Sequence, residues 1–184
     1  LLFTSDRPLA TGAETYHWTG RSFSDLFIAP KDGAVATPLP EPLNSEANEG
    51  VATLSTDGTE IYFTRCFSKE ASEDAYCQIY YSQREGEEWS KPEPLDFMQE
   101  GINFVHPALS ENGETLYFSA NLEQGWGGYD LYSMTRQGDS WTEPQLLSRS
   151  INTERDEQFP MLDGDTLYFA SEGHTGMGGM DIFS

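Results

Sequence analysis

Short apolar triplets recur along the chain. Ile61-Tyr62-Phe63, Leu116-Tyr117-Phe118 and Leu167-Tyr168-Phe169 are copies of one pattern, and Leu1-Leu2-Phe3 is a fourth. A second series follows each of them: Asp25-Leu26-Phe27, Gln78-Ile79-Tyr80, Asp130-Leu131-Tyr132 and Asp181-Ile182-Phe183, spaced by 51 to 53 residues. Self-similarity at such a period marks a repeat architecture in which each copy is one supersecondary unit.

Each copy divides into four short strands. The first is exemplified by Val105-His106-Pro107-Ala108-Leu109, matched by Gln158-Phe159-Pro160-Met161-Leu162. A turn follows at Asp57-Gly58 or Asn112-Gly113, residues suited to positive φ in a hairpin. In the last copy this turn is two residues shorter, at Asp163-Gly164; an even deletion keeps every side chain on its own face of the sheet. The second strand, such as Thr115-Leu116-Tyr117-Phe118-Ser119, is apolar on both faces, as expected of a sheet covered on either side. The third carries the Asp-Leu-Tyr series and closes on Lys31-Asp32-Gly33, Arg84-Glu85-Gly86 or Arg136-Gln137-Gly138. The fourth begins at Trp89 or Trp141 and runs into Pro92-Glu93-Pro94-Leu95 or Pro144-Gln145-Leu146-Leu147. The first copy keeps Pro40-Glu41-Pro42-Leu43 but has Thr37 in place of the tryptophan.

Four short strands repeated about every 50 residues predict an all-β fold, a β-propeller of four-stranded antiparallel blades. A β-sandwich would not repeat side chains at matching positions. The units fall at 1–48, 49–102, 103–155 and 156–184. The first begins in its second strand and the last ends in its third, so the reading is about three and a half blades of a larger ring, with flanking sequence outside this segment.

Composition supports this and narrows the partners. The chain is 37% hydrophobic and 22% charged, with 17 glycines and 10 prolines, a balance of short strands and many turns rather than disorder. Its 31 acidic residues against 10 basic give a net charge of −21. Such a surface repels a phosphate backbone, which argues against nucleic acid, and disfavours an anionic membrane face. Basic partners or divalent cations are compatible with it, and solubility alone is the simpler explanation. No apolar run reaches the roughly 18 residues of a membrane helix, and the N-terminal residues lack the basic start and apolar length of a signal peptide.

Candidate chemistry is sparse. Asp25, Asp130 and Asp181 recur at one strand position, whereas a catalytic group is needed once; each reads as an acceptor for backbone N–H groups of the loop before it. Gly128, Gly179, Trp89 and Trp141 are read likewise as structural positions of the repeat. His17, His106 and His174 show no metal-ligand spacing, and His106 stands where other copies have Val51 and Phe159, which places it in a packed strand. No cofactor is implied. Calcium stays open through Glu154, Asp156, Glu157, Asp163 and Asp165, but without EF-hand spacing a solvated acidic face is the simpler reading. No nucleophile elbow or phosphate-cradling loop is present, and Ser55-Thr56-Asp57-Gly58-Thr59 is accounted for by its hairpin turn. The loops between second and third strands are long and variable, and variable loops on a rigid scaffold are where binding specificity resides. Trp18, Trp126 and Met177 are the binding candidates there, with the covering of blade edges as the competing role for the last two. Cys66 ends a second strand and Cys77 opens the third, so a hairpin would place them opposite each other. That geometry admits a disulfide or two buried thiols, according to compartment.

Gly125-Trp126-Gly127-Gly128-Tyr129-Asp130-Leu131-Tyr132 and Gly176-Met177-Gly178-Gly179-Met180-Asp181-Ile182-Phe183 resemble the Gly-x-Gly-Gly-x-Asp-Ile-Tyr element of WD40-like, TolB-related propeller repeats. The segment Leu109–Ser119 is similar to the Ser-Pro-Asp-Gly-x-x-Leu-Tyr-Phe-Ser core of the same repeats. Such repeats occur in PorE-like envelope proteins of the OmpA family in Bacteroidetes. The resemblance implies a periplasmic, outer-membrane-associated scaffold that contacts protein partners in a cell-envelope complex, with any peptidoglycan link carried by domains outside this chain. In that compartment the disulfide Cys66–Cys77 is the favoured state. Two departures limit it: Gln78 replaces the repeat Asp, and Thr19-Gly20-Arg21-Ser22-Phe23-Ser24 lacks the double glycine. The alternatives are a propeller that gates a peptidase and a propeller that binds glycans.

Overall fold

A computed structural model describes residues 1–7, 15–16, 21–33, 35–67, 76–99 and 101–184. Among these there is no helix, and so none long and apolar enough to cross a membrane. The strands form four antiparallel sheets in chain order. The first holds Leu2–Ser5, Asp25–Ile28 and Thr37–Pro38. The second runs Asn48–Leu54, Glu60–Phe67, Tyr76–Glu85 and Glu93–Pro94 from its inner to its outer edge. The third repeats this with Phe104–Leu109, Thr115–Ala120, Asp130–Gln137 and Gln145–Leu146. The fourth holds Glu157–Asp163, Thr166–Ser171 and Asp181–Phe183. A small hairpin, Thr15–Tyr16 with Arg21–Ser22, lies between the first two strands of the first sheet.

The sheets are arranged radially as propeller blades. The inner strand of the third packs against the inner strands of the second and fourth, and the first sheet packs on the second. Among the described residues no strand of the fourth sheet touches the first, so the four form an open arc. Alternation within the triplet explains why it is apolar throughout. Ile61 and Phe63 face one way, into a cluster with Leu26 and Leu43. Tyr62 faces the other way, into a cluster with Phe104, Leu116 and Phe118 of the third sheet. The second sheet is thus a wall shared by two cores, and the hydrophobic effect acts on both of its faces.

Two details depart from the sequence pattern. The fourth strand is broken: Glu88–Trp89 and Glu93–Pro94, like Ser140–Trp141 and Gln145–Leu146, pair separately with the same third strand. Pro92, Pro94 and Pro144 have no N–H to give a continuous ladder, which confines them to such an interrupted edge. The inner strands are bulged at equivalent places, where register slips between Gly50 and Ala52, Val105 and Ala108, and Gln158 and Met161. His106 therefore lies in its strand, but as a bulge residue with φ 57°, and Phe159 has φ 55°. A left-handed conformation costs a side chain of this kind roughly 1–2 kcal/mol. Part of that is offset by stacking of the two rings at 3.9 Å between centroids.

Candidate functional site

The recurring aspartates organise the turns before them. Asp130 Oδ2 accepts the backbone N–H groups of Trp126 at 2.8 Å and Gly127 at 2.9 Å, and Asp181 Oδ2 accepts that of Met177 at 2.7 Å. Asp25 is fully buried at the corresponding place, opposite Ser5. Burial raises the Asp130 carboxyl above its usual range, against the two N–H bonds that lower it.

A second recurring contact fastens each sheet to the next. The side-chain oxygen of Asn48 accepts the N–H of Ser24, Asn103 that of Cys77, and Asp156 that of Tyr129, at 3.0, 2.8 and 3.0 Å. The acceptor residue opens the inner strand of one blade, and the donor immediately precedes the Asp position of the blade before. This clasp requires close backbone approach. A Cβ on Gly127 would overlap the carbonyl oxygen of Arg155, and one on Gly128 would overlap the carboxylate of Asp156. Gly179, at the place equivalent to Gly128, instead has φ 71° and open space around it.

One residue further on, the inner strands carry Glu49, Phe104 and Glu157, facing Arg65, Ala120 and Ser171 across the ladder. Glu49 accepts Arg65 Nε at 2.7 Å and the Ser45 hydroxyl at 2.5 Å, while Arg65 Nη2 reaches the carbonyls of Pro42 and Leu43. Glu157 accepts the hydroxyls of Thr153 and Ser171 at 2.7 and 2.6 Å. Burial pushes the Glu49 carboxyl up, with Ser45 and Arg65 opposing.

Cys66 and Cys77 are direct ladder partners and form a disulfide. Trp126 is half-buried, its ring covered by the Arg149 guanidinium at 4.4 Å, so it braces the connection to the fourth blade. Met177, at the same place one copy later, is 98% exposed. Trp18 lies outside the described residues, as does His17. Among the described residues no three His, Cys, Asp or Glu side chains gather to hold an ion, and two of the candidate carboxylates, Asp156 and Glu157, are engaged in the bonds just given.

A concavity lies elsewhere. A cavity of about 520 Å³ opens between the outer parts of the second and third sheets, within the roughly 300–1,000 Å³ typical of ligand sites. Its floor is an ion pair: Arg136 Nη1 and Nη2 donate to the two oxygens of Glu60 at 3.1 and 2.6 Å. Arg136 also donates to the Tyr62 hydroxyl at 2.9 Å and to the Gly113 carbonyl at 3.0 Å. Its guanidinium lies 4.9 Å from the centre of the Trp141 ring, which meets Tyr62 edge-on. Tyr81 donates to Glu60 at 3.2 Å, and burial, followed by the Glu60 charge, lifts its hydroxyl to about 12. The mouth carries Glu93, Asp96, Asp139 and Glu143, all exposed.

Tyr62, Tyr81, Glu60 and Arg136 were not singled out from the sequence as site residues. The signal was present in Arg136 and Trp141, whose spacing and ladder pairing repeat those of Arg84 and Trp89. Arg84 likewise sits over Trp89, at 5.9 Å. Trp89 and Trp141 are thus both stacked under an arginine, and Trp141 also forms a wall of the cavity.

No family model matches the chain, and no curated protein matches it. Among solved structures it is similar to TolB from Acinetobacter baumannii, with a TM-score of 0.54 and 18% identity over 86% of this chain. The fold is a TolB-like β-propeller. The chain spans about a third of TolB, 34% of its length. A more distant likeness is to the GH74 enzyme of Niastella koreensis, with a TM-score of 0.42 and 15% identity over 68% of this chain and 19% of that one.

Proposed function

We propose that this chain is a non-catalytic propeller module that binds a protein partner in a periplasmic, outer-membrane-associated assembly, its four blades belonging to a larger ring. The observation that carries this reading is the cavity between the second and third sheets. It is an aromatic-walled recess held between rigid blades, and its one acid–base pair, the half-buried Glu60 with Arg136, is tied up in a bidentate contact. Carboxylate and guanidinium locked together in this way position walls rather than transfer protons. The disulfide supports an oxidising compartment. Exposed Phe159, Met161 and Ile182 on the fourth sheet support further packing there.

Hydrogen–deuterium exchange on the chain with and without a partner captured from envelope extract tests this. Protection is expected in segments 93–97 and 136–143, abolished by competing free chain. Captured protein that protects neither segment overturns the reading. So does saturable binding of a neutral oligosaccharide at the same segments, which favours a glycan-binding propeller.

A further inference from the structure

Resting on that protein-binding reading, the geometry points to a basic side chain of the partner, arginine or lysine on a flexible segment, as the occupant of the cavity between the second and third sheets. Five carboxylates line the cavity and its mouth against one guanidinium. That guanidinium is spent, because Arg136 already serves Glu60, Tyr62 and Gly113. Among the described residues, Glu93, Asp96, Asp139 and Glu143 have no basic partner. An entering cation relieves their mutual repulsion, a neutral sugar does not, and an anion is turned away.

The aromatic lining adds the second half of the recognition. Arg136 shows within the chain what this environment does with a guanidinium, holding it by carboxylate oxygens on its edge and the Trp141 ring on its face. Tyr81 and Phe97 extend the apolar wall along which the stem of a long cationic side chain lies. A second recess of about 440 Å³ shares Glu60 and Arg136 with the first and adds Asp57, Glu111 and Glu114 from the two hairpin turns. The acidic ground therefore continues past the cavity, which fits a segment bearing more than one positive charge.

The probe is a short Gly/Ser peptide carrying two arginines, titrated calorimetrically into the chain at about 150 mM salt, where exposed charges beyond roughly 8 Å are screened. Its control is the same peptide with citrulline, a neutral isostere, in place of each arginine. The rim pair Asp139→Asn with Glu143→Gln is compared with Glu123→Gln plus Glu172→Gln, an equal change of net charge at the opposite ends of the strands. The expected result is about tenfold weaker binding for the rim pair, equivalent to about 1.4 kcal/mol. The distant pair is expected to change affinity by less than about twofold, and the citrulline peptide not to bind. Equal losses in both pairs, or equal binding of the citrulline peptide, overturn the inference. If a captured partner protects 93–97 while the arginine peptide fails to bind, this inference falls and the protein-binding reading stands.

Discussion

Gly127 and Gly178 hold the same place in successive copies of the repeat, yet they are needed for different reasons. At Gly127 the Arg155 carbonyl occupies the space a Cβ would take; at Gly178 the space is open and φ is +103°. Gly127→Ala is therefore expected to cost about 1–3 kcal/mol or more, because backbone cannot retreat as a flexible side chain does. Gly178→Ala should cost only the backbone strain, roughly 1–2 kcal/mol; urea midpoints compare the two, and a loss at Gly127 no larger than that at Gly178 would refute the distinction. The glycines themselves stood out in the sequence, but a carbonyl arriving from the next copy leaves no mark in the local pattern. His106 gives a second test. Burial lowers its imidazole to about 4. Between that value and the ordinary 6.5 the unfolded chain binds a proton that the folded one does not, so stability falls as pH is lowered through this window, by up to about 3 kcal/mol. His106→Phe, which copies Phe159 at the same bulge, should remove this slope, leaving only the background shared with wild type; an unchanged slope would contradict it.

At the scale of elements, the ladder pair next to the clasp comes in three versions: Glu49 with Arg65, Phe104 with Ala120, Glu157 with Ser171. The same strand geometry thus accepts an ion pair, an apolar pair or a hydroxyl–carboxylate pair, provided both members change together. Arg65→Ala alone strands a buried carboxylate and should cost about 3–5 kcal/mol. Combining it with Glu49→Phe reproduces the third sheet's pair and should recover most of that loss. The remainder is expected from the Pro42 and Leu43 carbonyls, which Arg65 also satisfies. A double variant as unstable as Arg65→Ala would show that the repeats are not interchangeable here. The strands themselves were legible because triplet, turn and Asp series repeat. The split fourth strand was foreshadowed by its prolines, whereas the inner bulge was not, since Val51, His106 and Phe159 share position but no residue type.

Over the whole molecule, acidic residues outnumber basic ones 31 to 10. Like charges spread over a surface favour expansion, and raising salt from about 10 mM to 150 mM shortens their reach from roughly 30 to 8 Å. The urea midpoint is accordingly expected to rise with sodium chloride over that range; a flat or falling midpoint would mean the few internal ion pairs outweigh the surplus. Composition showed the sign of this field but not where it concentrates. The cavity gathers Glu60 from one sheet and Arg136 from the next, 76 residues apart in sequence, and only the radial stacking of the sheets makes them neighbours.

The clasp between blades has an evolutionary corollary. Its acceptor, an Asn or Asp, and its donor, the peptide group ahead of the Asp position, both occur once per period of the chain. Any unequal crossover that copies one full period, wherever its breakpoints fall, delivers a new blade already equipped to grip both neighbours. Lineages can therefore lengthen or shorten the array by whole cassettes without inventing an interface.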